Sequence, residues 1–255
     1  MSISTRLAPG LSPRPTEHHA VDYVPPLRTG DRLTAIEFER RYQAMPELKK
    51  AELIEGVVYV GSPVSDEHGS THFDLITWFG VYRAATPGVV GSDNGTVRLD
   101  LDNRPQPDVH LRIAQECGGQ AKVGEDRYVE GAPELVAEVA LSSASYDLHD
   151  KLNAYRRNGV LEYLAWRVEN EAFDWFVLRE GRYELLPKPP EGHLRSEVFP
   201  GLWLDPVAMI RGDMATVLQV LQQGMASAEH ARFVERLQQA ATGTGPAPQQ
   251  QGDRP

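Results

Sequence analysis

Cysteine is almost absent from this sequence, since Cys117 is the one cysteine in 255 residues. A single thiol excludes an internal disulfide framework and a zinc site built from several cysteines. Long apolar runs are also missing, because no stretch approaches the roughly 18 residues of a membrane-spanning helix. The first residues, MSISTRLAPG, lack the apolar segment of a secretory signal. Together these absences predict a cytoplasmic protein.

Positive charge is in short supply as well. The chain has 26 Lys and Arg residues against 36 Asp and Glu residues, a formal net charge of −10. A broad non-specific nucleic-acid surface is normally basic, so the composition argues against such a surface. A local basic groove on an acidic protein remains compatible with this balance.

The hydrophobic content of 41% is sufficient for a normal core. Prolines crowd the N-terminus, and the C-terminal GTGPAPQQQGDRP has low complexity, so both ends are predicted to be disordered. We therefore predict a disordered arm over 1–30, a single folded domain over 31–210, a helical extension over 211–242 and a disordered tail over 243–255.

Apolar periodicity predicts helices and strands between these ends. The predicted elements are a helix over 34–44, a strand over Leu53–Val60, a helix over 67–84, a strand in PDVHLRI, a strand in ELVAEVAL, a helix over 147–158 ending at Gly159, a hairpin that turns at Glu180-Gly181, and a helix over Asp213–Ala241. This order predicts an α/β or α+β fold in which helices flank a mixed sheet.

The strand ELVAEVAL carries an acid, Glu138, between apolar neighbours. Such a short apolar run is typical of an interior strand with both faces covered. An isolated buried charge is too costly, so Glu138 must be neutral, paired with a cation or bound to a metal. An ordinary ion pair is the structural alternative to a functional site.

Three other residues are candidates for the same site. Asp108 begins an extended run after a proline, and Lys151 borders the apolar stripe of the helix after Glu138, so that its long stem can reach the strand. Glu55 lies in ELIEGVV, where Gly56 leaves room beside it. Glu52 is the alternative to Glu55, because residues three apart in one strand face opposite sides.

Converging carboxylates form an oxygen-rich site suited to Mg²⁺ or Mn²⁺. A metal ion together with a lysine is competent for phosphodiester hydrolysis, since both offset the charge that develops on a phosphate. A second metal candidate, the pair His68 and His72 at helical spacing, lacks the glutamate of an HExxH zinc motif.

The segments ELIEGVVY, PDV, EVALS and DLHDKLNAYRRNGVLEYL resemble the Uma2 family (DUF820) of restriction-endonuclease-type proteins, within the PD-(D/E)xK nuclease superfamily. The resemblance covers roughly Leu33 to Ile210. It implies a restriction-endonuclease-like mixed sheet flanked by helices, a metal-dependent nuclease activity and DNA as substrate. Folds of this kind commonly pair to cut two strands, which implies a homodimer.

The resemblance also implies roles for individual residues. Asp108, Glu138 and Glu55 correspond to the metal-binding acids, and the main-chain oxygen of Val139 to a further ligand. The superfamily lysine normally stands two residues after the strand acid, where this chain has Ala140. The resemblance implies that in Uma2 proteins a lysine from the next helix, here Lys151, takes the place of this superfamily lysine. Lys151 would then position the nucleophile and stabilise the transition state.

The sequence therefore predicts a Mg²⁺- or Mn²⁺-dependent endonuclease. Two alternatives stay open. One is a catalytically inactive relative that binds nucleic acid or a protein partner, which Ala140 and the acidic composition favour. The other is a structural protein whose acids form ordinary ion pairs.

Overall fold

Where the structure describes it, the chain contains both helices and strands, with most strands in its middle and three helices toward its C-terminal end. The computed structural model describes residues 23–61, 65–140, 147–187 and 192–243. Its strands are β1 (Ala51–Ile54), β2 (Val57–Val60), β3 (Val89–Asp93), β4 (Val97–Arg98), β5 (Val109–Ile113), β6 (Lys122–Val123), β7 (Val129–Glu130), β8 (Leu135–Ala140), β9 (Glu162–Arg167), β10 (Ala172–Arg179), β11 (Arg182–Leu185), β12 (Leu194–Arg195) and β13 (Trp203–Leu204). Its α-helices are α1 (Ala35–Gln43), α2 (Asp66–Ala85), α3 (Leu152–Asn158), α4 (Pro206–Ile210), α5 (Met214–Met225) and α6 (Ala228–Ala241). A 3-10 turn spans Gln115–Cys117, and a π-helical turn, Asp147–Lys151, leads into α3.

Six strands form a mixed sheet in the order β11-β10-β9-β8-β5-β3. β8 and β9 are parallel, whereas the other neighbours are antiparallel. Every residue of β8, LVAEVA, is buried, as expected for an interior strand covered on both faces. The predicted mixed sheet flanked by helices is confirmed.

Helices cover the two faces of this sheet with aromatic side chains. On one face, Trp78 of α2 meets Trp175 of β10 edge-on, with ring centroids 6.0 Å apart. On the other face, Tyr155 of α3 packs against Tyr163 of β9 at 5.2 Å. All four side chains are at most 1% exposed. Such rings bury large apolar areas, so they hold α2 and α3 firmly on the sheet.

The single strand predicted over Leu53–Val60 is wrong. The segment forms an antiparallel hairpin of β1 and β2, which reverses at Glu55 and Gly56. Both turn residues have positive φ, 51° and 73°, as a two-residue hairpin turn requires. Phe38 of α1 is buried in a separate small core with the hairpin.

The single helix predicted over Asp213–Ala241 is also interrupted. The helix stops after α5, and a new helix, α6, begins after Ser227. Ser227 caps α6, because its side chain accepts a hydrogen bond from the His230 N–H. Val217 of α5 and Phe233 of α6 belong to the main core under α2. No helix in the described ranges has both the length and the apolar character needed to cross a bilayer.

Most of the two predicted disordered ends, 1–22 and 244–255, lies outside the described residues. Residues 23–30 of the predicted arm are described. Leu27 is 5% exposed and packs into the small core of α1 and the hairpin. The arm therefore joins the fold before residue 30.

A buried carboxylate, Glu162, ties the sheet to the C-terminal part of the chain. Its Oε1 accepts from the main-chain N–H groups of Glu197 and Val198, and its Oε2 accepts from the Ser196 hydroxyl and the Trp175 indole. Burial raises the pKa of Glu162 to about 7, although these hydrogen bonds act in the opposite direction. The acid is thus fully hydrogen-bonded at the centre of the structure.

We expect Glu162→Gln to lower the free energy of unfolding by roughly 1–3 kcal/mol, because the new amide N–H₂ must face hydrogen-bond donors. Urea unfolding followed by circular dichroism measures the change. Glu184→Gln removes an exposed partner of Arg179 and should cost at most about 1 kcal/mol. Equal losses of unfolding free energy in the two variants would contradict the stabilising role assigned to Glu162.

Candidate active site

The sheet opens between β5 and β8 at one end. The register that pairs Val109 with Ala137, continued by two residues, sets Pro107 opposite Val139. Proline has no N–H, so it cannot continue the ladder on that side. The Val139 N–H instead donates to the Oδ2 of Asp108 at 2.9 Å. Backbone pairing therefore gives way to a side-chain carboxylate at this end.

Asp108 is the outer acid of the site and is 4% exposed. Its Oδ1 lies 3.0 Å from the Nζ of Lys50. Its own main-chain N–H donates a long hydrogen bond, 3.4 Å, to the Oε2 of Glu138. Burial pushes the pKa of Asp108 upward, but Lys50, Lys151 and the Val139 N–H together outweigh it, so the pKa lies below its usual value. Asp108 is therefore ionised.

Glu138 is paired within the interior, which accounts for an acid in an apolar strand. It is 2% exposed, and its Oε1 accepts from the Nζ of Lys151 at 2.9 Å and from the Tyr155 hydroxyl at 2.7 Å. Burial, and after it the charge of Glu138, raises the pKa of Tyr155 well above its ordinary value. The phenol therefore stays protonated and donates to the carboxylate.

Lys151 bridges two buried acids, whereas the sequence predicted a contact with only one of them, Glu138. Besides Glu138, its Nζ contacts the Oε1 of Glu52 at 3.1 Å, and the lysine side chain is 3% exposed. The same Glu52 oxygen accepts from the Gln106 N–H at 2.7 Å. Lys151 thus links the hairpin, the central strand and the segment that leads into α3.

Glu55 is not brought to this group, contrary to the sequence-based expectation. It occupies the hairpin turn, its side chain is 36% exposed, and its Oε1 pairs with Arg157 at 2.9 Å. In a continuous strand only one of Glu52 and Glu55 could face the site, but the strand is not continuous here. Because the chain reverses at Glu55, the turn points this residue elsewhere and Glu52 takes the inner position.

Lys50 and Asn94 lie at the site and were missed, and His72, considered from the sequence as half of a histidine pair, lies there as well. Lys50 also contacts the Oδ1 of Asn94 at 3.2 Å, and the Nε2 of His72 lies 2.9 Å from the main-chain oxygen of Asp108. One signal for Lys50 was available, since Lys50 and Glu52 alternate in KKAELI and so share a face. The long-range contacts of Asn94 and His72 have no such local signal.

Comparisons with known proteins show which family this chain belongs to. The model of the Uma2 family, described as "Putative restriction endonuclease", matches residues 36–207. The chain belongs to the Uma2 family. The structure is similar to the crystal structure of a putative nuclease belonging to DUF820 from Anabaena variabilis, with 11% identity and a TM-score of 0.52, covering 67% of this chain and 97% of that chain. A search of the curated proteins gave no match.

The donor set of this Uma2 protein fits a hard divalent cation. The carboxylates of Asp108 and Glu138 are hard oxygen ligands. The N–H and C=O of a strand residue point the same way, so the Val139 oxygen is directed to the side of Asp108. Within the described ranges, no group of three or more His, Cys, Asp or Glu residues could hold a metal. Mg²⁺ commonly uses one or two carboxylates and takes its other ligands from water and phosphate, which this set allows.

We expect Lys151→Met to lower the free energy of unfolding by about 3–5 kcal/mol, because Glu52 and Glu138 would lose their shared cation within the interior. Urea unfolding at neutral pH tests this. The matched control is Lys122→Met, which removes a 59% exposed partner of Glu130 and should cost at most about 1 kcal/mol. A loss for Lys151→Met no larger than the control's would show that the two acids do not need the lysine.

Proposed function

We propose that this Uma2 protein is a metal-dependent endonuclease that hydrolyses phosphodiester bonds of DNA. One observation carries the proposal: two buried acids, Asp108 and Glu138, stand side by side where the sheet opens, joined through the main-chain N–H groups of Asp108 and Val139. Buried acids gathered at one point, with lysines beside them, are uncommon unless the site binds or reacts. The family description and the nuclease-like neighbour support the same reaction class.

Each residue of the site has a part in this proposal. Asp108, Glu138 and the Val139 oxygen would hold Mg²⁺ or Mn²⁺. When bound, such a cation acts as a Lewis acid on phosphoryl oxygen and lowers the pKa of an attacking water. Lys151 and Tyr155 donate to the Oε1 of Glu138, which leaves its Oε2 on the side of Asp108. Their contribution is orientation within a preformed site.

DNA as substrate rests on the family and not on the charge of the chain. With a net charge of −10, the protein as a whole repels a polyanion, so affinity must come from local contacts. A double-strand cut would require two such sites. A homodimer therefore remains a prediction that accompanies the proposed activity.

A second candidate is an inactive nuclease-fold protein that binds nucleic acid or a protein partner. Two features favour it. Ala140 puts an uncharged residue at the usual lysine position, and both Asp108 and Glu138 are already paired with lysines. Metal binding separates the two candidates, because an inactive relative has no need of divalent cations.

We expect Asp108→Asn and Glu138→Gln to abolish Mg²⁺ and Mn²⁺ binding in titration calorimetry and to slow plasmid cleavage by at least about a hundredfold. Each change keeps the side-chain shape and removes the charge that the cation needs. Chelation with EDTA should stop cleavage by the wild-type protein.

The control is Glu55→Gln, which changes the acid at the hairpin turn. It should bind metal and cleave like the wild type, because Glu55 pairs with Arg157 outside the site. No metal binding by the wild type at millimolar concentration, together with no cleavage, would favour the inactive candidate. Loss of activity in Glu55→Gln alone would contradict the assignment of the site.

A further inference from the structure

The two lysines of the site occupy different depths. The Lys151 side chain is 3% exposed, and it lies among Glu52, Glu138 and the fully buried Tyr155. The Lys50 side chain is 30% exposed and reaches the opposite, outer side of the site through Asp108. A substrate phosphate that approaches from solvent therefore meets Lys50 first.

We propose that Lys50, and not Lys151, is the catalytic lysine that contacts the scissile phosphate, whereas Lys151 is a positioning residue for Glu138. This inference rests on the proposed function and assigns a role within the same site. It also differs from the expectation that the helix lysine replaces the lysine missing at Ala140.

Local structure holds the Lys50 ammonium in place. Its main-chain oxygen accepts from the Gly61 N–H at 2.9 Å, and a Cβ built on Gly61 would lie 3.1 Å from the Cβ of Lys50. Gly61 therefore packs tightly against the base of the lysine stem. The hairpin sets this stem on the same side as Glu52, toward the acids.

The contacts of the Lys50 ammonium leave room for a substrate atom. An ammonium has three N–H donors. Within the described ranges, Lys50 donates to the Oδ1 of Asp108 at 3.0 Å and to the Oδ1 of Asn94 at 3.2 Å. One donor remains beside the Asp108 carboxylate. Asn94 is exposed, so this donor lies at the open rim of the site.

Lys151 is poorly placed for the same task. It would have to leave two buried carboxylates to reach a phosphate, and each would then lack its cation in the interior. Its ammonium instead fixes the Oε1 of Glu138. The sequence position two residues after Glu138 is filled by Ala140, which is fully buried. The reaction needs a cation beside the phosphate. Lys50, the residue directly before β1, supplies that cation.

In the proposed step, the oxygen of water forms a bond to phosphorus, and one ester P–O bond breaks. The proton released by the water passes to solvent, and the leaving oxygen takes up a proton to become a hydroxyl. Lys50 stays protonated throughout. It donates its remaining N–H to a non-bridging phosphate oxygen, as a preorganised donor should.

The test compares Lys50→Met, Lys50→Gln and the control Lys49→Met in the full-length protein. Lys49 is the exposed neighbour of Lys50. Single-turnover cleavage in Mg²⁺ uses a DNA duplex spanning a mapped wild-type cut, with either normal or phosphorothioate linkages at that cut. Titration calorimetry with Mg²⁺ alone gives a second readout. Asp108→Asn serves as the inactive reference.

We expect Lys50→Met to cleave about 10²–10³-fold more slowly, the range for the loss of one preorganised donor, while Lys49→Met cleaves like the wild type. The Mg²⁺ affinity of Lys50→Met should persist, because Asp108 and Glu138 are unchanged. The rate difference between normal and phosphorothioate linkages should shrink in Lys50→Met, because the donor that senses the substituted oxygen is gone.

Several outcomes would overturn the inference. Wild-type cleavage by Lys50→Met, with Asp108→Asn inactive, rejects the role of Lys50 and leaves the proposed function standing. Loss of Mg²⁺ affinity with an unchanged phosphorothioate effect shows that Lys50 only supports Asp108. If Lys50→Met does not fold, Lys50→Gln keeps an N–H donor for Asp108 but has no charge, and a wild-type rate and phosphorothioate effect in it reject the role of the Lys50 cation. No cleavage by the wild type rejects the proposed function and this inference with it.

Discussion

The Lys151 ammonium between Glu52 and Glu138 is the interaction on which the site depends. All three side chains are nearly inaccessible, so each charge is tolerable only because the others are present. The contact joins the β1–β2 hairpin, the central strand β8 and the turn before α3, which are far apart in the chain. The hydroxyl of Tyr155 completes the pairing of Glu138 from α3. The same contacts therefore stabilise the core and shape the site.

A second constraint comes from the backbone. Pro107 stands where a ladder residue would face Val139, and this interruption lets the Asp108 carboxylate take the Val139 N–H. At this end of the sheet, the Asp108 carboxylate beside β5 and the main-chain carbonyl of Val139 in β8 take the place of backbone pairing. An uninterrupted antiparallel pair would have used these backbone groups in the sheet itself.

The absence of a lysine at Ala140 does not leave the site without cations. Lys151 approaches Glu138 from the segment before α3, and Lys50 approaches Asp108 from the hairpin. Charge at a point in space can be supplied by any element that reaches it, so one fold can carry the same group on different segments.

Local patterns in the sequence were enough to predict the mixed sheet, the buried strand with Glu138 and the meeting of Glu138 with Lys151. Tertiary structure alone decided between Glu52 and Glu55, because side-chain alternation applies only within one uninterrupted strand. Once Glu52 is known to face the site, the same alternation places Lys50 beside it. The same Glu-Gly pair makes positive-φ turns at Glu55-Gly56 and at Glu180-Gly181, yet only the latter was predicted as a turn. Apolar residues on both sides of the first pair resemble one continuous strand, and only the pairing of β1 with β2 requires the chain to reverse there.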